Sequence, residues 1–203
     1  MWIKICGLTG AEAVAAALAL RVDALGFVFA DSVRRVTPAQ AARLARPARS
    51  RAACVAVTRH PTQALIDEVL EVFRPDVLQG DAAELEQLRL PVTLERLPVL
   101  RSAAGAAQSL PRRILFEGPV SGSGTLGNWQ AAYAIARRTQ LVLAGGLTPA
   151  NVAAAIGAVR PFGVDVSSGV EAAPGHKSPA LIESFVAGAR VVAASRDPTE
   201  EHP

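Results

Sequence analysis

Two hydrophobic rhythms take turns along the chain. Short, nearly continuous apolar runs fall at residues 2–6, 23–29, 52–58, 76–79, 92–97, 114–117, 140–144 and around Val164-Asp165-Val166. Their length and β-branched content predict strands, and unbroken apolarity is what a strand covered on both faces requires. Between them lie stretches with apolar residues at helical spacing: 11–21, 38–46, 61–73, 81–89, 102–109, 129–138, 149–158 and 178–195. Thr37-Pro38 reads as a cap followed by a first-turn proline, and Thr9 reads as a cap for the first helix. Strand 5 is bracketed by Pro91 and Pro98, which sets its predicted limits. Eight strand–helix units of about 25 residues predict a parallel sheet closed into a single (β/α)8 TIM barrel over 1–195. An open doubly wound sheet is the competing architecture. The charged, proline-containing segment 196–203 is expected to be a disordered tail.

Strand parity then sorts the polar residues. Positions two apart share a face, so Lys4 and Cys6 point inward while Ile3 and Ile5 point to the helices. The same parity places Val77 with Gln79, Leu115 with Glu117, and Asp165 with Ser167. Cys6, Gln79, Glu117 and Ser167 each stand at the C-terminal end of a strand, and in a closed barrel those ends converge on one mouth. Strand 7 ends in Gly145-Gly146 and strand 8 in Ser167-Ser168-Gly169. Two successive turns of this kind expose backbone N–H groups and hydroxyls suited to a phosphate. Each residue also has a plainer use. Lys4 and Asp165 would make an ion pair that orders the core, Cys6 would fill space as a small apolar side chain, and Glu117 would face water. Cys54, inside strand 3, is assigned to the core.

Composition narrows the class. The chain has 203 residues, is 50% hydrophobic, and carries a net charge of +3. No apolar run reaches the roughly 18–20 residues of a membrane span. Met1 leads straight into a strand, so no signal peptide is expected. Arginine supplies nearly all the positive charge, the lysines being Lys4 and Lys177. Aromatics are 4% of the chain, which argues against nucleic-acid binding. Cys6 and Cys54 lack metal-ligand spacing and fit a reducing cytoplasm. The run Gly122–Gly127 matches G-x-G-x-x-G, but it does not follow its strand directly and no acidic residue lies about 20 positions on, so a dinucleotide site is rejected. The glycine- and serine-rich loop 118–128 is instead a candidate lid.

Several segments together resemble phosphoribosylanthranilate isomerases. They are Ile3-Lys-Ile-Cys-Gly-Leu-Thr9, Asp23-Ala-Leu-Gly-Phe-Val-Phe29, Ser32-Val-Arg-Arg-Val-Thr-Pro38, Ala144-Gly-Gly-Leu-Thr-Pro-Ala-Asn-Val152 and Gly163-Val-Asp-Val-Ser-Ser-Gly-Val-Glu171. The resemblance implies a cofactor-free barrel that converts N-(5-phosphoribosyl)anthranilate to its ribulose-type product by an Amadori rearrangement, as a monomer or homodimer. It implies Cys6 as general base and Arg34 as the contact for the anthranilate carboxylate. It also implies a phosphate cup at Gly145, Gly146, Ser167, Ser168 and Gly169, with Asp165 beside it. Two positions depart from the family pattern. Glu117 stands where an aspartate acid is usual, and Gln79 where a histidine is usual. Lys4 was expected to help lower the Cys6 thiol pKa. Another phosphosugar isomerase or epimerase, or a decayed ligand-binding barrel, are the competing functions.

Overall fold

The structure, a computed structural model, describes residues 1–101, 110–117 and 129–194. Eight parallel strands close into a barrel in sequence order. They are β1 (Trp2–Ile5), β2 (Ala24–Val28), β3 (Ala53–Val57), β4 (Val77–Asp81), β5 (Glu95–Leu100), β6 (Arg113–Phe116), β7 (Gln140–Leu143) and β8 (Gly163–Val166). The seam is made by β1 and β8, with Lys4 opposite Asp165 and Ile5 opposite Val166. Outside run α1 (Ala11–Ala19), α2 (Pro38–Ala45), α3 (Gln63–Glu68), α4 (Ala82–Gln87), α5 (Trp129–Ala136), α6 (Val152–Val159) and α7 (Pro179–Ala194). The expected helix 102–109, the candidate lid 118–128 and the tail 196–203 lie outside the described residues.

Parity works as the sequence implies. Ile3, Ile5, Leu25, Phe27, Leu78 and Ile114 join the layer between strands and helices. Ala24, Val55, Val77, Leu97, Leu115 and Val142 fill the barrel interior. Burying one Leu or Ile contributes roughly 1.5–3 kcal/mol, so the larger outer layer carries most of the stability. That leaves inward positions near the strand ends available to polar groups.

Three local expectations change. β5 runs Glu95–Leu100 rather than 92–97, with Pro98 inside it. It is registered with β6 only at Val99 and Leu100, so Pro98 sits where that ladder has not begun and a missing N–H is tolerated. Thr9 does not cap α1; Gly10 holds that place, and the Thr9 hydroxyl donates to the Gly175 carbonyl at 2.7 Å. The acceptor belongs to a hairpin that the sequence reading left as loop: β9 (Glu171–Ala173) and β10 (His176–Lys177) pair antiparallel around Pro174-Gly175. Thr37, by contrast, caps α2 as expected, in a reciprocal box with Gln40.

Candidate active site

At the end of β1, Lys4 is fully buried and its Nζ lies 2.9 Å from Asp165 Oδ1. Gly26 on β2 makes room for it. A Cβ at Gly26 would sit 3.0 Å from Cys6 Sγ and 3.1 Å from Lys4 Cε, so thiol and amine stem share one small space. Burial works against the Lys4 charge, yet Asp165, helped by Cys6, outweighs it and holds the amine above the usual lysine range. Burial pushes the Cys6 thiol up, and the pull of Lys4 recovers only part of that rise. Lys4 thus pulls the thiol down as expected, but for a nearly dry thiol lost hydration costs the thiolate more than one neighbouring cation returns.

The ends of β4, β5 and β6 carry a second polar cluster. Arg101, just past β5, donates from Nη2 to Asp81 Oδ1 at 2.7 Å and from Nη1 to Glu117. Gln79 is buried in the middle of β4, and among the described residues its Oε1 is an acceptor without a hydrogen-bond partner. β6 and β1 are separated in the barrel by β7 and β8. Glu117 and Cys6 therefore flank the two turns that follow those strands.

Those turns form one cradle. Gly145 and Gly146 both have left-handed φ, at 84° and 67°, and among the described residues their N–H groups have no backbone partner. Asn151 fixes this turn, donating to the Gly146 carbonyl and accepting from Thr148 N–H, each at 2.8 Å. Ser168 and Gly169 open a 3-10 turn, whose first N–H groups have no partner within it. Gly169 lies so close to the Leu147 carbonyl that a Cβ would be 1.9 Å from its oxygen. Ser167 Oγ faces Gly7, where a Cβ would lie 3.0 Å away. The cradle thus begins one residue from Cys6.

Arg34 completes the site. A Cβ at Gly7 would be 2.6 Å from Arg34 Cδ, so the arginine stem crosses the backbone just beyond the thiol. Its Nε and Nη2 bind Glu171 at 2.7 and 2.8 Å. Glu171 also accepts from Lys177 Nζ at 2.6 Å. Burial alone would raise the Glu171 carboxyl, but hydrogen bonds from Arg34 and Lys177 bring it down to about 2. Burial lowers Lys177, and Glu171 opposes that shift without cancelling it.

The family model described as N-(5'phosphoribosyl)anthranilate (PRA) isomerase matches residues 3–188. The chain belongs to the phosphoribosylanthranilate isomerase family. It is 40% identical to N-(5'-phosphoribosyl)anthranilate isomerase from Mesorhizobium japonicum, covering 96% of each chain. TrpF from Jonesia denitrificans superposes with a TM-score of 0.79 at 35% identity, covering 97% of this chain and 100% of that one. A phosphoribosylanthranilate isomerase solved with reduced 1-(o-carboxyphenylamino)-1-deoxyribulose 5-phosphate superposes at 0.77, with 29% identity over 94% of this chain and 99% of the other. The chain is an isomerase of this family, which acts in tryptophan biosynthesis.

Within this isomerase Cys6 and Glu117 directly follow β1 and β6, and the two turns follow β7 and β8, while Lys4, Gln79 and Asp165 lie inside β1, β4 and β8; Gln79 had been expected at a strand end, but β4 runs on to Asp81. Arg34 reaches the same mouth from the loop after β2. The sequence reading missed Asp81, Arg101, Glu171 and Lys177. Asp81 continues the Val77, Gln79 parity, and Arg101 continues Leu97, Val99; setting β5 three residues early hid the second pair. For Glu171 and Lys177 the available signal was the Pro174-Gly175 turn between them. A groove of about 880 Å³ between α1 and α2, lined in part by Val14, Leu18, Val36 and Arg43, includes none of Lys4, Cys6, Arg34, Gln79, Glu117 and Asp165. Among the described residues no group of three or more His, Cys, Asp or Glu could hold a metal ion. No helix among them is long and apolar enough to cross a membrane.

Proposed function

We infer that the mouth performs the Amadori rearrangement of N-(5-phosphoribosyl)anthranilate with Glu117 as general acid and Cys6 as general base. The phosphate occupies the cradle of Gly145, Gly146, Ser167, Ser168 and Gly169. Arg34 takes the anthranilate carboxylate with the edge of its guanidinium turned away from Glu171. Glu117, held by Arg101, gives a proton to the furanose ring oxygen as the C1′–O bond breaks and the nitrogen lone pair forms the Schiff base. The Cys6 thiolate then removes the C2′ proton, and those electrons move to C1′ as the enolamine forms. Tautomerisation gives the 1-amino-1-deoxyribulose 5-phosphate product, and proton return restores both groups. Anchoring both ends of the substrate supplies the orientation the two transfers need. Gln79 Oε1, buried without a partner, suits a sugar hydroxyl or the anilino N–H. Asp165 and Lys4 hold the thiol's surroundings from below. The free Cys6 thiol fits work in the reducing cytoplasm.

The observation that carries this reading is the closeness of Ser167 to Gly7. A phosphate in the turn sets its own sugar beside the sulfur of Cys6. Cys6→Ala and Glu117→Gln should each lower turnover by roughly 10²–10⁴ with the fold intact. Full activity in Cys6→Ala would remove the thiol from the mechanism.

A further inference from the structure

The hairpin β9–β10 rests on the loops that follow β1 and β2. Thr9, after β1, holds its turn at Gly175 O, and Gly175 itself packs so tightly on the Val33 carbonyl that a Cβ would lie 2.8 Å from its oxygen. Across the hairpin Lys177 is registered with Glu171. The two side chains turn inward together, Lys177 with 0% and Glu171 with 6% of its side chain exposed. Surface pairs contribute little, but this pair is dry and every bond has a direction.

Resting on the isomerase reading above, we propose that Glu171 and Lys177 are positioning residues that link the two substrate anchors. Glu171 aims Arg34 at the aryl carboxylate, and Lys177 turns the Ser167 hydroxyl toward the phosphate. Both carboxylate oxygens of Glu171 engage one edge of the Arg34 guanidinium, at Nε and Nη2. That fixes the plane of the group and leaves the other edge, with Nη1, for a second carboxylate in the fork geometry arginine favours. Lys177 Nζ spends its three protons on Glu171 Oε1 at 2.6 Å, Ser167 O at 3.1 Å and Ser167 Oγ at 3.2 Å. An ammonium only donates, so Ser167 Oγ must accept here, and its own O–H is released to donate outward. With its protons committed, Lys177 acts through Ser167 and not by touching the ligand. Glu171 Oε1 is common to both bonds, so one oxygen ties the carboxylate anchor to the phosphate turn.

The test uses the full chain and four variants: Lys177→Met, Glu171→Gln, Ser167→Ala and the double variant Lys177→Met with Ser167→Ala. Each is first checked for folding by its melting curve. Steady-state kinetics then separate KM from kcat, and inorganic phosphate binding is read by calorimetry, which needs no turnover. Lys177→Met should weaken phosphate binding about tenfold and raise KM, with kcat within about threefold. The double variant should lose no more than Ser167→Ala alone, because the lysine works through that hydroxyl. Glu171→Gln should raise KM about tenfold while phosphate binding changes less than about twofold. Folded single variants with unchanged KM and phosphate affinity would overturn the proposal, as would additive losses in the double variant. If Lys177→Met does not fold, Ser167→Ala must still weaken phosphate binding at least fivefold, and Glu171→Gln must still split KM from it; failure of either overturns the proposal. If the unaltered chain binds phosphate in a Lys177-dependent way but does not isomerise the substrate, the isomerase reading fails and the phosphate half of the link stands.

Discussion

Gly169→Ala asks whether the two turns must touch. The glycine's φ is not in the left-handed region, so space alone is the obstacle. The new Cβ would stand 1.9 Å from the Leu147 oxygen, 2.9 Å from its carbon and 3.1 Å from Thr148 Cα, all backbone atoms that cannot swing aside. Real contacts of this kind begin near 3.0 Å, so the β7 and β8 turns must part by at least 1.1 Å. A hydrogen bond of about 2.9 Å stretched by that much passes beyond bonding range. One lost bond to a charged phosphate costs about 1.5–3 kcal/mol, which raises KM about ten- to 150-fold. Overpacking itself costs about 1–3 kcal/mol, and for a chain of this size that lowers the melting temperature by roughly 2–12 °C. Melting curves and steady-state kinetics on the purified variant read both effects, with kcat moving less than KM. A variant with KM within threefold of the parent and an unchanged melting temperature would refute the idea that this contact shapes the cradle.

Asp165→Asn leaves Lys4 buried without its counter-charge and should cost about 3–5 kcal/mol in urea unfolding; a loss below about 1 kcal/mol would show that the pair does not hold the barrel interior. Because burial raises the Cys6 thiol, its rate of alkylation by iodoacetamide should keep climbing through the ordinary thiol value of 9.0, and a plateau near neutral pH would contradict that direction. Glu171 has a folded pKa of about 2 against the usual 4.5, so its contribution is complete above 4.5 and is lost as pH falls toward about 2. Melting temperatures measured down that range should fall less steeply in Glu171→Gln than in the parent; parallel curves would rule out this carboxylate as a source of acid lability.

How much of this was legible follows from what each signal depends on. Lys4, Cys6, Gln79, Glu117 and Asp165 were readable because strand parity is local and unambiguous once a strand is placed. The cradle was readable because Gly145-Gly146 and Ser167-Ser168-Gly169 interrupt apolar runs abruptly. Arg101 was not, because Pro98 suggested that β5 had already ended; whether a proline is tolerated depends on which neighbour is paired there, and that is decided by β6. Glu171 and Lys177 were not, because a three-residue strand facing a two-residue strand leaves almost no periodicity. Thr9 had the spacing of a helix cap, but a carbonyl 166 residues away claimed its hydroxyl. The direction of the Cys6 shift also needed coordinates, since a neighbouring amine and burial push oppositely and only their balance matters.

The bond between Lys4 and Asp165 spans 161 positions. On the ribosome, the fourth residue is made at the outset and its counter-ion arrives only after four-fifths of the chain has followed. Until then the first strand carries a charge that it cannot afford to bury, and it lacks the neighbour that would close the ring. Such distant pairings are entropically slow to form. The final ring closure is therefore the step most exposed to mispairing or clumping, and a chain truncated before Asp165 should be a client for chaperones rather than a small stable protein.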